Sequence, residues 1–131
     1  MAKSKIVKRI MLFGYIAVIA GLIVSIWGVT ASMKLVANEI GEKAANVFHK
    51  DNVESLLLLI ESGSHSSKEK NDAIWALGVL KDRRALGRLE TLLTDKERAP
   101  AEKMCTSEIE KAIQKIKGKF IFSWPAECTS P

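Results

Sequence analysis

Twenty consecutive residues without a charge, Ile10–Val29, constrain this chain more than any other feature. They follow a basic tip, residues 1–9, which holds four of the twenty Lys and Arg residues and no acid. A helix rises about 1.5 Å per residue, so the run is long enough to cross the roughly 30 Å hydrocarbon core of a bilayer. The pattern predicts one transmembrane helix over residues 10–30.

A removable signal peptide is the alternative explanation of this run. The apolar region of such a peptide is normally about 7–15 residues long, although Val29, Thr30 and Ala31 resemble a cleavage site. Tyr15 and Trp27 lie towards the two ends of the run, and amphipathic rings prefer the headgroup region. These two residues are the predicted interfacial anchors, and they favour an uncleaved span in contact with the lipid bilayer.

The positive charge of the chain is concentrated before the span. The net charge is +5, but the 122 residues after the tip carry sixteen bases and fifteen acids. A nearly neutral soluble part argues against nucleic-acid binding, which needs a concentrated basic face. Positive segments tend to stay cytoplasmic, so in a bacterium we expect a single-pass inner-membrane protein with a periplasmic C-terminal domain.

Small residues fall close to one stripe of the predicted span. Lipid tails supply no hydrophobic drive for helix association, so close backbone approach at small residues matters there. The stripe predicts a packing face for a second membrane helix, although Gly and Ala are common in all membrane helices. Its residues are Gly14, Ala17, Gly21, Ser25 and Gly28.

Residues 31–50 continue the helical pattern beyond the span. Met33, Val36, Ile40 and Ala44 recur at helical spacing, with charged and polar residues between them. We expect an amphipathic juxtamembrane helix that extends the span. Lying flat on the membrane interface is the alternative, but the polar face is mixed in sign instead of strongly basic.

Helix start and stop signals divide residues 51–118. Asp51 and Asp82 are predicted N-caps, and Ser66 with Glu69 forms a capping box. Pro100 is predicted to begin the last helix and Gly118 to end it. We find no strand alternation before residue 119. The chain is therefore expected to be all-α.

The apolar positions of these helices repeat. Those of residues 53–60 superpose on residues 86–93 with a shift of 33, and those of 73–80 on 109–116 with a shift of 36. Paired helices recurring at such a period indicate an α-solenoid. The predicted repeat core consists of Ala73, Ala76, Leu77, Leu80, Leu86, Leu89, Leu92 and Leu93.

Residues 71–89 resemble a short HEAT-like repeat of the type first associated with phycobilisome lyases. That pattern has Ala-x-x-Ala-Leu-Gly-x-Leu, then Asp-x-Arg-Ala-Leu, then further leucines, and here it is filled by Ala73, Ala76, Leu77, Gly78, Leu80, Asp82, Arg84, Ala85, Leu86, Leu89, Leu92 and Leu93. The resemblance implies a solenoid of about two repeats. The residues agree with it, since Asp82 can cap a helix and Arg84 can bridge neighbouring turns. We do not carry over bilin attachment, because the repeat is a scaffold and function lies in a site.

Two features of the C-terminal third allow more than one interpretation. A disulfide between Cys105 and Cys128 would close a loop of about two dozen residues and contribute roughly 3 kcal/mol; alternatively, Cys105 is a small buried residue. In the extended tail, residues 119–131, Phe120, Phe122 and Trp124 alternate. They either cover the repeat core, dock on a partner, or enter the membrane interface.

No catalytic, cofactor-binding or metal-binding pattern stands out. His49 and His65 have no plausible nucleophile or ligand partner in the sequence, and Ser67-x-x-Lys70 is better explained by helix capping. The two cysteines lack the paired spacing of a zinc site. We therefore predict a protein without enzymatic activity and without a cofactor.

The sequence predicts a membrane-anchored protein–protein interaction module. An accessory or assembly subunit of a larger membrane complex fits best, with other protein subunits as partners, because an incomplete solenoid must be capped from elsewhere. The alternative is a secreted or anchored sensor that binds a small ligand between its helices and acts independently. That alternative requires a concave pocket with convergent polar groups.

Overall fold

A computed structural model describes the backbone of residues 2–98 and 105–125, and the side chains of residues 6–95 and 105–125. Helix α1 runs without interruption over Ala2–Phe48, so the basic tip, the predicted span and the predicted juxtamembrane helix form one helix. The chain folds as two compact units, Met1–Met33 and Lys34–Pro131. We call the second unit the helical domain.

Within α1, the stretch Ile6–Phe48 includes a window that is long and apolar enough to cross a membrane. None of that window is buried inside the protein, and every residue from Ile10 to Val29 is exposed. Length and apolarity therefore agree with the predicted transmembrane helix. A signal sequence close to an N-terminus has the same properties.

Helices α2 and α3 begin where their capping residues predict. Asp51 is the N-cap of α2 (Asn52–Glu61), and its carboxylate accepts a hydrogen bond from the Glu54 N–H at 2.8 Å. Ser66 and Glu69 form the predicted capping box of α3 (Ser67–Leu80). Each bond satisfies a backbone donor that a helix start otherwise leaves unpaired.

Asp82 and Arg84 organise the turn after α3. Asp82 caps a 3-10 turn, Arg83–Ala85, which leads directly into α4 (Leu86–Arg98). The Arg84 guanidinium bonds the Asp82 carboxylate at 2.9 Å and the Asp51 carboxylate at 2.7 Å. Arg84 thus links the N-caps of two helices that are 31 positions apart, which confirms its predicted bridging role.

The last helix begins later than predicted. Pro100 lies outside the described residues, but Cys105 is extended (φ −76°, ψ 111°), so α5 covers Thr106–Ile116 and no single helix passes through Cys105. The buried Asn71 side chain explains this start, because its amide oxygen accepts the Cys105 N–H at 3.1 Å.

The predicted C-terminal end of α5 is confirmed. Gly118 has φ +94°, in the left-handed region where glycine carries no steric penalty. The N–H groups of Gly118 and Lys119 donate to the carbonyls of Lys115 and Gln114 at 3.1 and 3.0 Å. This is a Schellman motif, which pairs the last free carbonyls of a helix.

Helix α3 lies at the centre of the core and packs against both α2 and α5. Ala73, Ala76 and Leu77 are fully buried, as predicted, and Trp75 is also buried. At Gly78, an added Cβ would lie 2.9 Å from the Ala112 Cα atom in α5. The glycine therefore permits the close approach of these two helices.

The predicted core of α4 is only partly buried. Leu89 is fully buried, but Leu86, Leu92 and Leu93 are half-buried, as is Leu80 at the end of α3. The helix that packs closely on α4 in the described part of the chain is α5. One neighbouring helix covers only one side of an apolar stripe, so these leucines of the predicted repeat core are less buried than Leu89.

No strand occurs among residues 2–98 and 105–125, so the described chain is all-α apart from turns and an extended tail. Gly41 in the last part of α1 has a structural reason that the sequence did not indicate. A Cβ there would lie 3.0 Å from the Asn52 Cβ, so the missing side chain makes room for the start of α2.

Candidate functional site

The described part of the tail, residues 119–125, is not helical, and from Phe120 to Pro125 exposed and half-buried residues alternate. Ile121, Ser123 and Pro125 are half-buried, whereas Phe120, Phe122 and Trp124 are 77, 57 and 50% exposed. Alternate residues of an extended chain point to opposite sides. The tail therefore turns Phe120 and Phe122 outwards, whereas Trp124 is half-exposed and also contacts the domain. We call Phe120, Phe122 and Trp124 the aromatic strip.

Three contacts fasten the tail to the helical domain at Ser123 and Trp124. The indole N–H of Trp75 donates to the Ser123 carbonyl at 2.6 Å, and the Lys115 ammonium donates to the Ser123 hydroxyl at 2.9 Å. The Trp124 ring stacks on Trp75 with centroids 6.0 Å apart and planes at 14°. We call this group of contacts the latch.

Lys115 is the charged member of the latch and is itself buried. Its ammonium lies 5.9 Å from the centroid of the Trp75 ring, within the range of a cation–π interaction. Desolvation lowers the pKa of Lys115; the neighbouring Glu108 carboxylate opposes this shift, and Lys111 and Lys81 add to it. The latch therefore holds a desolvated cation against an aromatic face and a hydroxyl.

Glu108 is 1% exposed and belongs to the same buried polar group. Its carboxylate accepts a hydrogen bond from the Lys111 ammonium at 2.8 Å. A buried carboxylate is tolerated when it is paired in this way. Helix α5 thus carries one anionic and two cationic side chains, of which Lys115 contacts the tail.

The tail covers the core only in part. The tail does fold back through Ser123 and Trp124, but Phe120 and Phe122 remain exposed. Trp75 and Lys115, which receive the tail, were not predicted from the sequence. A tryptophan within the small-residue stretch of α3 was the available signal, since a buried indole usually needs a hydrogen-bond acceptor.

Cys105 lies beside α3 at the start of α5. It is disulfide-bonded, and the Asn71 amide nitrogen lies 3.7 Å from its Sγ. Cys128, the predicted partner, lies outside the described residues. The pairing of Cys105 with Cys128 therefore stays a prediction.

An open groove of about 270 Å³ lies between the end of α1 and helices α2 and α3. Four polar side chains line it, and each already has a partner. Lys43 pairs with Glu39 at 2.8 Å, Glu69 accepts from Ser66, and Asp72 has an interaction partner as well. His65, the fourth, bonds Ser62.

His65 has a hydrogen-bond partner that was not predicted from the sequence. The Ser62 hydroxyl lies 2.6 Å from His65 Nδ1, and the His65 ring packs 6.0 Å from the ring of Phe48. Ser62 also ends α2, with its N–H bonded to the Leu58 carbonyl at 2.9 Å. The serine–histidine contact therefore holds the connection between α2 and α3. His49, with φ 55°, lies just beyond the end of α1.

The small-residue stripe of α1 is open. A Cβ added at Gly14, Gly21 or Gly28 would meet no atom within 4 Å, and Ser25 bonds back to the Gly21 carbonyl at 2.9 Å. The predicted anchors Tyr15 and Trp27 are exposed. A packing partner for this stripe stays a prediction.

No group of three metal-ligating side chains occurs in the parts of the chain that the structure describes. Comparisons with models of protein families, with curated proteins and with solved structures find no match for this chain. Its function must therefore be inferred from its own residues.

Proposed function

We propose that this protein is a non-catalytic, membrane-anchored protein–protein interaction module, and an accessory or assembly subunit of a larger membrane complex. The aromatic strip is the observation that carries the proposal. Exposed aromatic residues are the residues most enriched at the centres of protein interfaces. The latch fixes the strip on the domain, so binding a partner does not require ordering a free tail.

Membrane anchoring is supported by the apolar, fully exposed run Ile10–Val29 in α1. The basic tip supports a cytoplasmic N-terminus and, in a bacterium, a periplasmic helical domain in the inner membrane. The intact mass of the chain extracted from membranes tests this part. A chain that begins at residue 32 would instead indicate cleavage after Ala31.

A HEAT-like arrangement of the helical domain is also part of the proposal. Its support is the pair of N-caps, Asp51 and Asp82, which Arg84 bridges, together with the repeated apolar positions. A short stack leaves apolar surface at its end, as at Leu92 and Leu93, which are half-buried. Such a surface suits a scaffold that completes its core against another subunit.

The groove gives less support to the alternative, a sensor that binds a small ligand. Ligand sites present a few convergent polar groups to their ligand. Lys43, His65, Glu69 and Asp72 line the groove but are already paired within the chain. A ligand would have to compete with these contacts.

Extraction of the native complex tests the proposal directly. Membranes are solubilised in mild detergent, separated on a native gel, and the band that contains this chain is identified by mass spectrometry. We expect co-migration with other subunits at fixed stoichiometry, and loss of that band with F120S/F122S. Val47→Ser is the matched control, because Val47 is exposed and apolar but lies in the groove. Migration as a monomer or homodimer would contradict the proposal.

A second variant tests the lateral contact of α1. Gly21→Leu places a large side chain on the small-residue stripe, where nothing within the chain opposes it. We expect the complex to dissociate while the helical domain stays folded, since close helix approach needs small residues. Unchanged association would remove the stripe from the interface.

A further inference from the structure

We propose that the aromatic strip binds an extended, acidic segment of the partner protein, which aligns as a β-strand alongside residues 119–124. This inference rests on the proposed function and names the kind of partner surface. It follows from the exposure of Phe120 and Phe122, the free backbone beside them, and the charge of Lys119.

The spacing of the strip matches an extended partner. Same-face residues of an extended chain are about 6.6 to 6.8 Å apart along its direction, and Phe120 and Phe122 are the two exposed residues with this spacing in sequence. A partner in the same conformation presents side chains at the same repeat. A helix repeats its side chains at a pitch of about 5.4 Å, which is shorter than this spacing.

The backbone of the tail is available for pairing. Within the described part of the chain, the Ser123 carbonyl is the one main-chain group from Phe120 to Pro125 that has a hydrogen-bond partner. An extended segment with unpaired N–H and C=O groups is a template for another strand. Partner segments bind many domains in this way, with the backbone giving affinity and side-chain pockets giving specificity.

The positive charge of Lys119, directly before the strip, favours an acidic partner. Residues 111–125 contain four lysines and no acid. Lys111 and Lys117 are paired with Glu108 and Glu90, whereas Lys119 is exposed and has no ion-pair partner among the described residues. Because like charges would face each other, a second copy of this chain fits less well than a segment that carries Asp or Glu.

Both ends of the segment are fixed before a partner arrives. The Schellman motif at Gly118 sets the exit from α5, and the latch holds Ser123 and Trp124. Residues 119–122 lie between these two points. The entropic cost of forming a new strand is therefore partly met by the fold itself.

Peptide binding to the full chain in a neutral detergent tests the inference. The first probe is a fluorescent eight-residue peptide of alternating Val and Glu, measured by anisotropy with empty micelles as the blank. The second probe has Lys in place of Glu. The third probe has the same charge as the first, but two of its residues are replaced by proline, which removes two backbone N–H donors.

We expect the first peptide to bind and the other two to bind at least about tenfold more weakly, since each loses charge complementarity or backbone hydrogen bonds. F120S/F122S should weaken the first peptide by at least about tenfold as well, and Val47→Ser by less than about twofold. Circular dichroism of each variant checks that the helices are retained.

Equal binding of the three peptides, or no binding of the first, would overturn the inference. Loss of binding with Val47→Ser alone would move the site to the groove and overturn it as well. The proposed function fails separately, when the native chain migrates alone. A native complex that depends on Phe120 and Phe122, without peptide binding, retains the proposed function and rejects the extended acidic partner.

Discussion

Helix α3 and the apolar run of α1 are both helical, but α3 is mostly buried within the protein whereas the run is exposed. The run Ile10–Val29 is apolar on every side and exposed throughout. Helix α3 contains Lys70 and Asn71, but these and every residue from Ala73 to Val79 are buried. This difference shows that close packing, and not apolarity alone, determines which residues of the domain are buried, because small residues let neighbouring helices approach each other. Apolarity alone suits α1 to lipid.

Substitutions of Trp75 in α3 and Trp27 in α1 should give the largest difference in stability between these two regions. We expect Trp75→Ala to lower the free energy of unfolding of the helical domain by about 3–5 kcal/mol, because it empties the core and breaks the latch. Trp27→Ala should leave that free energy unchanged, since Trp27 is exposed. Urea unfolding followed by circular dichroism measures both. Equal losses would mean that the apolar run and the domain unfold as one unit.

Substitutions of Gly78 in α3 and Gly21 in α1 should give the next largest difference in stability. A Cβ at Gly78 would lie 2.9 Å from the Ala112 Cα atom, so Gly78→Ala must push α3 and α5 apart and should cost about 1–3 kcal/mol. Gly21→Ala meets no atom within 4 Å and should have no such cost. Thermal unfolding of the two variants compares them. An unaffected Gly78→Ala would show that α5 can move without loss of packing.

Lys115 should make the free energy of unfolding of the helical domain depend on pH. Its charged form is disfavoured in the fold, so its pKa is lowered and the unfolded chain binds more protons as pH approaches the ordinary value of 10.5. The free energy of unfolding should therefore rise with pH in that range, relative to Lys115→Met. Lys119→Met controls for the loss of one positive charge. Urea unfolding from pH 7 upwards tests this; a difference that is flat or falls with pH contradicts a desolvated ammonium in the latch.

Substitutions of Ser55 in α2 and Ser25 in α1 should give the smallest difference in stability. The Ser55 hydroxyl in α2 is fully buried and has no hydrogen-bond partner among the described residues. Ser55→Ala should thus raise the free energy of unfolding by up to about 1 kcal/mol, since an unpaired buried hydroxyl is destabilising. Ser25→Ala removes only a bond to the Gly21 carbonyl within α1 and should not affect the domain. A lower melting temperature for Ser55→Ala would indicate a bound water on this hydroxyl.

Local signals predicted the helices of the domain because caps act over three or four residues. Asp51, the pair Ser66 and Glu69, and Gly118 all lie where their side-chain or backbone chemistry places a helix end. Contacts between distant residues were not predictable in the same way. The start of α5 depends on Asn71, and the latch depends on Trp75, 34 and 48 positions from their partners.

The tail shows a further limit of sequence patterns. Alternation of Phe120, Phe122 and Trp124 carries no information on which of them contact the core, and in the structure only Trp124 among the three stacks on a core ring. The Trp75 indole and the Lys115 ammonium decide this, because both require an oxygen and Ser123 supplies two. Hydrogen bonding to buried donors therefore outweighed the burial of two phenylalanines.

The partial burial of α4 has a consequence for local opening of the domain. Of its described side chains, only Leu89 is fully buried, whereas α3 and α5 are held together directly by Gly78 with Ala112 and by Asn71 with Cys105. The packing of α3 on α5 does not depend on the helix that joins them in sequence. Amide hydrogens of α4 should therefore exchange with solvent through an opening that leaves the α3–α5 pair closed, well before those of Ile74 or Ile113 exchange.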